Sequence, residues 1–135
     1  MFNQGLSLDQ APPINVPFRF FLTAPIFGVV ISLVLFFTPF SESSNQYSHF
    51  AIGLNHLFTL GILSMIIFGA MQQMMPVLAG AIIKKPRLFA NIVHTSMVLG
   101  TLFLSFSFIL ELKNLLYFGV LFLAIAFLTF FIMSI

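Results

Sequence analysis

Residues 115–135 read LLYFGVLFLAIAFLTFFIMSI, twenty-one positions without one charged side chain. Crossing about 30 Å of hydrocarbon takes about 20 helical residues. This stretch is therefore long enough and apolar enough to span a bilayer as a single helix. In lipid only a helix or a closed barrel can satisfy its own backbone polar groups, so an open strand is excluded.

Working back from that stretch, Glu111, Lys113 and Asn114 form a short polar turn. Before it lies a second apolar run, residues 88–110. A third run covers residues 48–83, and a fourth covers residues 18–40, ending at Pro39 and the polar loop 41–47. The reading is an all-α membrane protein of four transmembrane helices in an up-down bundle or arc. A 1–17 arm precedes the helices, kept out of a continuous helix by Pro12, Pro13 and Pro17. A signal peptide does not fit the 18–40 run, because only Arg19 supplies positive charge there. The 48–83 run exceeds one span, and Pro76 predicts a kink or an early stop near Ala79-Gly80.

Composition agrees. Only 6% of the 135 residues are charged, against roughly a quarter in a soluble domain. Mean hydropathy is +1.13. The eight charges are Asp9, Arg19, Glu42, Lys84, Lys85, Arg87, Glu111 and Lys113, and none sits in the middle of an apolar run. No acidic proton relay of the kind found in pumps can be built from them. A net charge of +2, scattered along the chain, makes no nucleic-acid footprint. The absence of Cys removes disulfides, thiolate metal sites and covalently attached haem. With the N-terminus inside, four of the five basic residues are cytoplasmic and Lys113 is outside. Both termini are then expected in the cytoplasm of a multi-pass protein of the plasma (inner) membrane.

Three histidines are the candidate ligands. His49 stands at the outer boundary beside Tyr47 and Ser48, as an interfacial polar residue or, less directly, a metal ligand. His56 lies deeper on the same helix face. An intramembrane His faces protein or a cavity, so His56 is either a ligand or a helix–helix hydrogen-bonding group. His94 opens a polar stripe with Met97, Thr101 and Ser105 on the 88–110 run. That stripe suits helix packing, a hydrated path or a second ligand. At 1.5 Å per residue His56 and His94 differ in depth by about 20 Å, too far for one iron in one chain. Met65, Met71, Met74 and Met75 offer soft sulfur to copper, or serve as apolar filler. Gln72 and Gln73 need partners, at a subunit contact or a cavity opening inward.

The stretch His56-Leu57-Phe58-Thr59-Leu60-Gly61, followed by residues 65–70 (MIIFGA) and 75–80 (MPVLAG), resembles the second helix of subunit I of haem-copper oxidases and nitric oxide reductases. In that family a His near the outer end of this helix is an axial ligand of the low-spin haem. The resemblance implies haem b on His56, with Gly53 and Gly61 leaving space for the macrocycle. It covers about 30 residues well. The chain departs from the family in lacking an adjacent His pair and a His-x-His, so it is not a terminal oxidase by itself. Family members have about twelve helices in three four-helix arcs, and this chain resembles one arc. A homo-oligomer, dimer or trimer, follows as the expected working unit. Electron transfer, gas or haem sensing, or haem handling are the implied roles. The other readings are a cofactor-free accessory or assembly subunit, and copper or small-solute transport.

Overall fold

The computed structural model describes residues 11–39, 45–79 and 85–134. All regular structure in them is helical. The first helix is Asn15–Phe37. The second is a continuous rod made of an α segment His49–Phe58, a π segment Thr59–Ser64 and an α segment Met65–Ala79. The third is Pro86–Ile109 and the fourth Lys113–Ser134. All four are long and apolar enough to cross a membrane, so the chain is a multi-pass membrane protein in a lipid bilayer.

The ends obey local rules. The first helix starts at Asn15, three residues earlier than expected, and takes Pro17 into its first turn. Proline is tolerated there because first-turn N–H groups have no intrahelical acceptor. Ser48 caps the second helix, its hydroxyl accepting from Ala51 N–H at 3.1 Å. The third helix has Pro86 in its first turn. Glu111, between the third and fourth helices, takes φ 54°, the left-handed conformation of a tight helix stop. Pro76 lies inside the second helix, which runs on to Ala79. Residues 80–84 and 40–44 are outside the described residues, so the expected break at Gly80 and most of the 41–47 loop fall there.

The first helix packs mainly on the Met65–Ala79 half of the second helix, the second also on the third, and the third most extensively on the fourth. Phe20, Ala24, Phe27, Leu57, Met65, Val93 and Met97 form the shared core. The third and fourth helices approach closely at Gly119, where an added Cβ would lie 2.6 Å from the Leu104 backbone nitrogen. Packing of this kind, small residues letting backbones meet, is how helices associate when lipid removes the hydrophobic drive.

Candidate functional site

The three histidines occupy three separate places. His56 lies on the α segment that opens the second helix and is half-buried. Its Nδ1 is 2.7 Å from the Ile52 carbonyl oxygen, one turn back. A carbonyl only accepts, so Nδ1 carries the proton. In the neutral ring Nε2 then holds the lone pair. The ring also stacks on Phe108 of the third helix, centroids 5.3 Å apart and planes 16° apart. Two contacts thus set the imidazole's orientation and leave Nε2 without a hydrogen-bond partner among the described residues.

Gly53 and Gly61 do not border open space. A Cβ on Gly53 would lie 2.5 Å from Ile109 Cγ1 and 2.7 Å from the Ser105 carbonyl oxygen. A Cβ on Gly61 would lie 2.5 Å from the Phe27 ring. These glycines seat the second helix against the third and the first. The room expected beside them for a macrocycle is filled by Ile109 and Phe27.

His94 is committed to the first helix. Thr23 Oγ1 donates to the Arg19 carbonyl oxygen at 2.8 Å. Having spent its one proton, that hydroxyl accepts from His94 Nε2–H at 2.7 Å. Phe20 meets the same ring edge-on, 5.1 Å between centroids. Arg19 continues the cluster, with Nε donating to Asn15 O at 2.9 Å and Nη1 donating to Asn91 Oδ1. Met97, Thr101 and Ser105 are buried, as the polar stripe required. The Thr101 and Ser105 hydroxyls and both amide atoms of Gln72 are buried without a hydrogen-bond partner among the described residues.

His49 Nδ1 pairs with Glu111 Oε1 at 3.1 Å, both side chains mostly exposed. The pair ties the start of the second helix to the turn after the third. A cavity of about 330 Å³ beside it is lined by Asn45, Ser48, His49, Phe108 and Glu111. Phe108 thus lines this cavity and also stacks on the His56 ring.

His94 and Phe108 lie fourteen positions apart on the third helix, about 21 Å along its axis at 1.5 Å per residue. Since His56 stacks on Phe108, the structure keeps His56 and His94 apart. No group of three or more His, Cys, Asp or Glu that could hold a metal ion is found among the described residues. Met71 and Met74 are exposed, while Met65 is fully buried, so the four sulfurs do not converge on one interior path.

Two partners escaped the sequence reading. Phe108 is one of twenty phenylalanines, and nothing local sets it apart. Thr23 had a faint signal: it follows Arg19 by four residues and so shares a helix face with a basic side chain. The first helix holds His94 through Thr23. The π segment that begins at Thr59, one turn after His56, had no sequence signal at all. Comparison with protein-family profiles, curated proteins and solved structures finds no match to this chain.

Proposed function

We propose that the chain is a small membrane protein that binds haem b, with His56 Nε2 as an axial ligand. The observation behind this reading is the tautomer. An imidazole whose Nδ1–H is held by a carbonyl presents a basic, oriented Nε2, the arrangement that metal-ligating histidines use. Phe108 supports the same ring from one face. When bound, haem supplies one-electron chemistry and gas binding. The chain's own part is to present the ligand and keep it at a fixed depth in the membrane.

Because Ile109 and Phe27 fill the space at Gly53 and Gly61, the macrocycle belongs at a surface of the four-helix unit and not inside it. This favours an assembly of copies. A second copy related by symmetry would offer its own imidazole at the same depth. In this reading the helices alternate up and down, with both termini in the cytoplasm, and the role is electron transfer, gas or haem sensing, or haem handling.

The test is an absorption spectrum of protein purified after expression with ample haem. A Soret band and a reduced-minus-oxidised α band are expected, lost in His56→Ala and kept in His94→Ala, with about one haem per two chains. No Soret band in the wild type, or a band unchanged by His56→Ala, sinks the proposal. A cofactor-free accessory or assembly subunit is the second reading. It is favoured by the fourth helix, only 11% of whose most apolar window is buried, leaving a large face for another membrane protein. A fixed co-purifying partner without a chromophore would select it.

A further inference from the structure

We propose that the end of the molecule carrying Arg19, Lys85 and Arg87 is a binding site for the phosphate of an anionic phospholipid. It stands independently of the haem reading.

A cavity of about 410 Å³ opens at the start of the third helix, lined by Pro13, Lys85, Pro86, Arg87 and Leu88. Its wall is almost wholly apolar, formed by Pro13, Pro86, Leu88 and the non-polar atoms of Lys85 and Arg87, while both basic residues are exposed and carry their charges into the surroundings. A phospholipid presents the complementary pair, an anionic phosphodiester joined to a glycerol and acyl chains. The cavity sits where a 24-residue apolar helix begins, which is the level of lipid headgroups.

A third cation reaches this end. Arg19 Nη1 is anchored on Asn91, one helical turn beyond Arg87 on the third helix. The guanidinium is thereby fixed to the third helix, one turn from Arg87, at the same end of the molecule. Among the described residues the one side-chain carboxylate is Glu111, which His49 engages beyond the far end of the third helix. Those 24 residues span about 36 Å, several screening lengths at physiological salt. The three cations therefore have no protein counter-charge among the described residues. An anion from the membrane itself supplies it, aided by the positive end of the third helix's dipole. A Lys or Arg near an anionic leaflet strengthens binding about five-fold, and an Arg fork can bind phosphate through two parallel hydrogen bonds.

The experiment uses the full chain reconstituted into vesicles of equal phosphatidylcholine and phosphatidylglycerol, then re-extracted in mild detergent. Mass spectrometry measures the lipid that stays bound. The wild type is expected to retain phosphatidylglycerol several-fold above its input ratio. The Lys85→Gln/Arg87→Gln protein is expected to fall to the input ratio, and Lys113→Gln, at the far end, to match the wild type. If the double variant fails to elute as a folded species, Lys85→Gln alone is read, and an enrichment clearly below the wild type's is expected. Equal enrichment in wild type and variant overturns the site, as does no enrichment in the wild type. Full displacement of the lipid by millimolar inorganic phosphate overturns the lipid assignment, since the site would then read phosphate alone.

Discussion

At the scale of single residues, what decides the chemistry is where each proton goes. His56 and His94 are both imidazoles on membrane-spanning helices, yet they present opposite nitrogens. The Ile52 carbonyl draws the proton of His56 to Nδ1, and the Thr23 hydroxyl draws the proton of His94 to Nε2. Only the first leaves Nε2 open, so the two histidines are not equivalent candidates. Gln72 poses the reverse problem. It is 1% exposed and neither amide atom has a partner among the described residues. Leaving a buried polar group unpaired costs about 1–3 kcal/mol, a cost that an apolar group of similar shape avoids. Gln72→Leu is therefore expected to raise the thermal midpoint of the purified protein. The expected gain is about 1–2 kcal/mol by the same reasoning. A lowered midpoint would mean that the amide is paired in the working protein, by water or by another molecule.

At the scale of elements, the second helix is the unusual one. Six of its residues, Thr59–Ser64, form a π segment one turn after His56, with Ser64 Oγ donating to the Thr59 carbonyl oxygen at 2.9 Å. A π bulge behaves as one residue inserted into an α-helix, and such bulges often accompany functional sites. Here it changes the rotation between the half carrying His56, which leans on Phe108, and the half carrying Met65 and Gly69, which packs on the first helix. Deleting Leu60 should let the segment close as ordinary α-helix while both flanks keep their faces. Deleting Leu99 from the regular third helix should instead rotate everything beyond it by about 100°, since 3.6 residues make a turn. The expected result is a folded, detergent-stable Leu60 deletion and an aggregating Leu99 deletion, read by size-exclusion chromatography. Equal damage from both deletions would show that the π geometry itself is required.

At the scale of the whole molecule, charge sets orientation. Four basic residues, Arg19, Lys84, Lys85 and Arg87, stand against Lys113 if the N-terminus is inside, and this bias directs insertion. Because the chain has no Cys, single-cysteine reporters can be read without background. In intact cells Tyr47→Cys is expected to react with a membrane-impermeant maleimide, and Lys85→Cys only after the membrane is permeabilised. The opposite pattern would place both termini outside and invert the assigned depth of His56.

Much of this molecule is legible from its sequence because lipid is a strict solvent. Backbone groups must bond within a helix, and charges must sit at the ends. Hence the four helices and the polar break between the third and the fourth follow from apolar length and a few polar residues. The burial of Met97, Thr101 and Ser105 follows from spacing, since positions separated by whole turns share a face. Contacts between helices do not follow in this way. Any of twenty phenylalanines could have met His56, and any glycine could have bordered a cavity or a neighbouring helix. Tertiary packing chose Phe108 for His56, Thr23 for His94, and Ile109 and Phe27 for the two glycines. The physical reason is range. Span, cap and charge placement are fixed by interactions within a turn or with the solvent. The tautomer of His56 is likewise set one turn back, at Ile52, but the ring it stacks on and the partner that holds His94 come from more than fifty positions away.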